Sequence, residues 1–256
     1  MKELVRLAEQ SNRSAKMSHF ELVGEFHRVF DYPVRTEPYV DVFEKDPKLL
    51  KSRTAFLREE RDEFLQHYNS EPKNVPELAD ALCDLLYFAF GTGQCIGIDL
   101  DAEMRKLSIT TVRNLQITQD PHIVPDAEIM QRLSTVTCYV DLFERACNSR
   151  DFDSMTMCLI SIIDKTYDLG YYMGFDMDPM FREVHRSNMT KVCTTERDAL
   201  ESVQRYKMQG IYKLPVVRVK EPYFLVYDDH LNKILKSFYW DAPNLQQFIK
   251  TQIIIE

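Results

Sequence analysis

Two short runs of carboxylates carry the spacing that metal-assisted chemistry needs. Residues 59–63 read EERDE and residues 77–84 read ELADALCD. On a helix, Glu59 and Glu63 are i, i+4, and Glu60 and Glu63 are i, i+3. Glu77, Asp80 and Asp84 are i, i+3, i+7, again on one face. Each run alone reads as a solvated helix face. Antiparallel helices joined by a short loop would bring five or six carboxylates to one spot, where they repel strongly unless a cation neutralises them. Hard divalent cations such as Mg²⁺ or Mn²⁺ take oxygen ligands and resolve that repulsion.

The elements that must hold these groups are legible as helices. Ser18 and Glu21 have capping-box spacing ahead of Phe20, Val23, Phe26 and Phe30. A second helix runs from Pro47 through the sixties, with Leu49, Leu50, Phe56, Leu57, Phe64 and Leu65 as its apolar set. EPKNVP at 71–76 is a loop, and a third helix runs from Pro76 to about Cys95. Leu78, Leu82, Leu85 and Ala89 form its core stripe beside the acids. A fourth helix is expected over about 101–116, and 116–125 reads as a linker.

The pattern then restarts, with helices expected over 126–147, 151–173 and 178–192. Residues 97–114, GIDLDAEMRKLSITTVRN, align with 174–191, GFDMDPMFREVHRSNMTK, and FLQHYNS at 64–70 aligns with FERACNS at 143–149. This reads as internal duplication of a helical unit. Three regions follow: 1–120 with the acidic motifs, 121–196 with a degenerate copy, and 197–256 as an extension. In the extension 197–209 extends a helix, and alternation in PVVRVK and PYFLVYDDHLNKILKSFY predicts a β-hairpin turning near Asp228 to Asn232. A short helix is expected at 243–252. The fold class is all-α, an internally duplicated helical bundle with a small C-terminal β-hairpin extension.

Composition narrows the function. Only 7 of 256 residues are glycine, which disfavours turn-rich β-sandwiches and Rossmann folds. The net charge of −8 gives no basic footprint for a nucleic acid polymer. No apolar run approaches the roughly 18 residues of a membrane helix, so no membrane partner is expected. The charged N-terminus is not a secretory signal. Six cysteines without a CxxC pair read as free thiols in a reducing, cytoplasmic compartment rather than a zinc site. GxSxG, GxxxxGK[ST] and GxGxxG are absent, which removes the usual support for serine hydrolase, P-loop and Rossmann readings. His27 reads as a packing histidine.

EERDE followed by ELAD resembles the EExxE…ExxD signature of the all-α nucleoside triphosphate pyrophosphohydrolases, the superfamily of MazG, dimeric dUTPases and phosphoribosyl-ATP pyrophosphohydrolase. EFHRVFDYPV (25–34), RTAFLREERDEF (53–64), ADALCDLLYFAFGTG (79–93) and FREVHRSNMTK (181–191) carry the resemblance over about 20–195, closest to the phosphoribosyl-ATP pyrophosphohydrolase-like branch. It implies a MazG-like bundle and Mg²⁺-dependent cleavage of a nucleotide substrate to monophosphate and pyrophosphate, with Mn²⁺ as the other candidate metal. By position Glu60, Glu63, Glu77 and Asp80 would hold metal. Glu59 and Glu60 would be catalytic, Glu59 as a base or second-metal ligand. Asp84 would lie in the outer shell on the substrate side. Tyr87 reads as core, with stacking on a substrate base as the alternative.

The sequence departs from the family by splitting its motifs. The first unit keeps the acids but reads SITTVRN at 108–114 where the later Asn-x-x-Lys motif belongs. The second keeps Asn188 and Lys191 but has Cys138, Tyr139, Leu142, Ser154 and Met157 at the acid positions. This suggests a covalent pseudo-dimer, with Asn188 and Lys191 reaching the first unit's substrate and homo-oligomers as a further expectation. A separation above about 15 Å would prevent it. By resemblance dUTP or dCTP is the favoured substrate class. The competing expectation is a nucleotide-binding or protein-interaction module whose chemistry has lapsed.

Overall fold

Helix α1 (His19–Val29) starts with the expected capping box. Ser18 Oγ accepts from the Glu21 amide at 3.2 Å, and the Glu21 carboxylate accepts from the Ser18 amide at 2.7 Å. The structure, a computed structural model, describes residues 16–107, 123–249 and 254–255. A short helix α2 (Val42–Lys45) leads into α3 (Pro47–Tyr68), whose first turn is closed by Pro47 and by Asp46 accepting from the Leu49 amide.

Helix α4 (Val75–Ile96) is the centre of the molecule. From Ala89 to Ile96 every residue is buried, including Phe90, Thr92 and Gln94. A helix apolar on all sides must be covered on all sides, and α4 packs against α1, α3 and two later helices. It ends at Gly97, left-handed at φ 74. A Cβ there would lie 1.9 Å from the Glu37 carbonyl oxygen, so only glycine lets the two backbones approach. Helix α5 (Leu100–Lys106) follows, capped by Asp99. It is shorter than the expected helix over 101–116, and residues 108–116 lie outside the described residues.

A second helical hairpin follows. Helices α6 (Asp126–Ser149) and α7 (Phe152–Tyr172) pack side by side, and α7 lies on α4. Gly174, also at φ 74, is followed by Asp176 as the N-cap of α8 (Met177–Met189), as Gly97 is followed by Asp99 before α5. The SITTVRN segment lies outside the described residues. Helix α8 is locked to α1, where the His19 ring stacks on Phe181 at 4.1 Å and its Nε2 bonds Asp178 at 2.9 Å. One continuous apolar core joins both hairpins, with Phe30, Phe64, Phe90, Phe143, Tyr167 and Phe181 fully buried. Among the described residues no single helix is long and apolar enough to cross a membrane. All six cysteines are free thiols, and Cys138 is exposed.

Helix α9 (Glu196–Gln209) leads into the extension. A two-residue strand β1 (Ile123–Val124), within the stretch expected to be linker, pairs in parallel with the last strand of the chain. In the extension β2 (Pro215–Lys220) pairs antiparallel with β3 (Tyr223–Asp228), and β3 with β4 (Lys233–Ile234). The turn expected near Asp228 to Asn232 is thus the second of two. The longer ladder turns at Glu221–Pro222, because Pro222 lacks an N–H and has a fixed φ that suits a turn. In place of a helix at 243–252 there is a single 3₁₀ turn, Gln246–Phe248, and residues 250–253 lie outside the described residues. The chain's last described strand is β5 (Ile254–Ile255). Cys193, Ala199, Val203, Val226 and Leu235 form a small second core between α9 and the sheet.

Candidate active site

Helices α3 and α4 lie against each other and turn their acidic faces to one locus. Glu60 is buried, Glu59 and Glu63 are exposed, and Glu77, Asp80 and Asp84 are half-buried. The charges are close enough to shift one another. Burial first, then Asp84, Glu63, Glu59 and Asp80, push Glu60 up to about 9. Burial, Asp84, Glu77 and Glu63 raise Asp80 to about 7. Burial raises Asp84 to about 6, against the pull of Lys191. The charges of Glu59, Glu63 and Glu77 thus add to those of Asp80 and Asp84 in raising Glu60 and Asp80.

This donor set fits a hard divalent cation. Ligand atoms of Glu63, His67 and Glu77 all lie within 4.8 Å of one another, and His67 Nε2 is 3.7 Å from Glu63 Oε1. His67 is not among the residues that the acidic motifs nominate. Its signal is nonetheless in the sequence, since it sits one turn beyond Glu63 on the same face.

The end of α8 approaches the same acids. Lys191 Nζ donates to Asn188 Oδ1 at 2.6 Å. Burial lowers the Lys191 ammonium, while Asp84 and Asp80 hold it up. Asn188 pulls against the burial that raises the Tyr87 hydroxyl. That hydroxyl bonds His185 Nδ1 at 3.0 Å, and His185 Nε2 reaches Glu25 at 3.3 Å. A polar chain thus runs from α1 through α4 to α8. Glu25 and His185, which lie in the EFHRVFDYPV and FREVHRSNMTK segments, are joined through it.

Tyr87, expected either as core or as an aromatic on the substrate side, is 6% exposed, stacked with Phe181 at 5.5 Å and edge-on to Phe26 at 5.4 Å. His27 packs as expected, buried, with Nδ1 2.9 Å from the Pro33 carbonyl oxygen.

The second hairpin has no comparable cluster among the described residues. Tyr139, Leu142, Ser154 and Met157, at the positions aligned with the first unit's acids, line a shallow recess whose only carboxylate is Asp151.

Comparison with known proteins places the same segment. Residues 23–109, from α1 to just past α5, match the model of the family described as phosphoribosyl-ATP pyrophosphohydrolase. The chain is 28% identical over 247 residues, 93% of its own length and 98% of the relative's, to "Uncharacterized protein L479" of Acanthamoeba polyphaga mimivirus. No solved structure matches. Residues 23–109, which hold both acidic motifs on the paired helices α3 and α4, are thus similar to the phosphoribosyl-ATP pyrophosphohydrolase family, a member of the MazG-like nucleoside triphosphate pyrophosphohydrolase superfamily.

Proposed function

We propose that this protein is a divalent-cation-dependent nucleoside triphosphate pyrophosphohydrolase whose site is completed within one chain. The observation that carries the reading is the meeting of the α3–α4 carboxylates with Lys191 from the second half. Glu60, Glu63, Glu77 and Asp80 would hold Mg²⁺ or Mn²⁺, with His67 at the edge of the set. A bound cation neutralises the polyphosphate and lowers the pKa of a coordinated water.

The chain's own groups do the rest. Glu59, exposed beside Glu60, accepts a proton from the attacking water. Water oxygen bonds to one phosphorus of the α–β bridge, the bridging P–O bond breaks, and its electron pair leaves with the phosphate group that was not attacked, which gives monophosphate and pyrophosphate. Lys191 carries the ammonium that pairs with a phosphate oxygen, and Asn188, which accepts from it, aims it. Asp84 is the carboxylate that balances Lys191 when no phosphate is bound.

The two halves then act as a pseudo-dimer derived by duplication, and one copy of the chain suffices for turnover. Of substrates, dUTP and dCTP come first, on the resemblance to dimeric dUTPases. Phosphoribosyl-ATP belongs beside them, because the matched family's description names it. Phosphorus NMR of the products tests the reaction type. Monophosphate with pyrophosphate supports the proposal, and diphosphate with inorganic phosphate contradicts it. Nucleotide binding without turnover would instead favour the lapsed module.

A further inference from the structure

The C-terminal extension returns to the same carboxylates. Leu235, just past β4, is buried in the small core between α9 and the sheet. The next residue, Lys236, is exposed along part of its length; burial lowers its ammonium, and the charges of Asp80, Asp84 and Glu77 pull it back up. The backbone that carries it is pinned. Ser237 Oγ donates to the Thr190 carbonyl at 3.0 Å, and the Asp241 amide donates to Thr190 Oγ1 at 3.0 Å. Tyr206 donates to the Lys236 carbonyl at 2.9 Å, and the Phe238 amide to Ser202 Oγ at 2.8 Å. Thr190 stands between Asn188 and Lys191 in the chain. The anchor of Lys236 is therefore the helix end that presents the other lysine.

Lys236 Nζ also sits over the Trp240 ring, 3.4 Å from its centroid. The Trp240 Nε1 is shielded and has no hydrogen-bond partner among the described residues. A lysine facing carboxylates that hold a divalent cation is repelled by that cation. An anion bound at the same place removes the conflict, and a triphosphate brings several negative charges.

We propose that Lys236 is a second phosphate-binding residue, supplied by the extension, which grips the polyphosphate together with Lys191 and selects triphosphates over monophosphates. The proposal rests on the pyrophosphohydrolase reading and adds the extension to its site.

Trp240, the chain's single tryptophan, reports on Lys236 directly. The test titrates the full chain with inorganic tripolyphosphate in the presence of Mg²⁺, following tryptophan emission and, independently, calorimetry. Wild type should show a saturable emission change. Lys236→Met should bind tripolyphosphate about tenfold or more weakly, and Lys236→Arg within about threefold of wild type. Mn²⁺ affinity, read by electron paramagnetic resonance, should be unchanged or tighter in Lys236→Met, which also verifies a folded site. Equal tripolyphosphate affinity in Lys236→Met and wild type overturns the proposal, as does absence of binding in wild type. Lys236-dependent binding without release of pyrophosphate from any nucleotide overturns the hydrolase reading and leaves this one standing. Full turnover by Lys236→Met with unchanged KM does the reverse.

Discussion

Lys191 Nζ donates a 2.6 Å hydrogen bond to Asn188 Oδ1, and both residues lie on the opposite half of the chain from the acids they face. One turn earlier on the same helix, His185 bonds the Tyr87 hydroxyl of α4 at 3.0 Å. Lys191→Met should raise KM for the nucleotide by about tenfold or more, with a smaller effect on kcat. Asn188→Ala should act in the same direction, and the double variant should lose less than the product of the two. Steady-state kinetics check this. Independent, multiplicative effects would contradict a shared role.

Glu60 is buried among like charges. Glu60→Gln replaces a carboxyl whose charged form burial and its acidic neighbours disfavour, so the cation-free protein should melt no lower than wild type. The same change should cut pyrophosphate release by at least about a hundredfold and reduce the rise in Tm on adding Mg²⁺. Melting curves with chelator and with Mg²⁺ give both readings. A large loss of stability in chelator would contradict this account of the cluster.

Two left-handed glycines make a matched pair. Gly210, at φ 66, leaves open space where a Cβ would stand, whereas a Cβ on Gly97, at φ 74, would meet the Glu37 carbonyl oxygen at 1.9 Å. Gly210→Ala should cost about 1 kcal/mol, the conformational penalty alone. Gly97→Ala should cost several times more, because the α4 end and the 35–39 segment must separate. Chemical denaturation of both variants measures the difference.

Burial and the nearby Arg53 hold His27 down at about 3. Its folded value lies below the ordinary one of about 6.5, so its contribution to stability is complete above that pH. It is lost progressively as pH falls from about 6.5 toward 3, because only the unfolded chain takes up the proton. Nitrogen NMR at pH 5 should find a neutral ring with the proton on Nδ1, facing the Pro33 carbonyl. An imidazolium signal there would contradict the assignment.

The helical hairpin and its acids were legible because their signals are local. Caps at Ser18 and Pro47, and the i, i+3 spacing of Glu60 with Glu63 and Glu77 with Asp80, need no knowledge of tertiary contacts. What was missed depends on distant packing. The bond between the Tyr87 hydroxyl and His185 exists only once α8 lies on α4. Lys236 comes from a strand connection more than 150 residues beyond Asp84, and nothing in its neighbours points to an acidic partner. The turn at Glu221–Pro222 lost to the more polar DDHLN stretch, which does turn, but between a shorter pair of strands.

The central claim is that the acids of α3 and α4 hydrolyse a nucleotide. The most direct measurement is pyrophosphate release from a panel of deoxynucleoside and ribonucleoside triphosphates and phosphoribosyl-ATP, with Mg²⁺ or Mn²⁺, beside a Glu60→Gln/Glu63→Gln control. The account predicts release from at least one nucleotide and its loss in the control. No release from any of them by folded wild-type protein, or release that survives in the control, would contradict it.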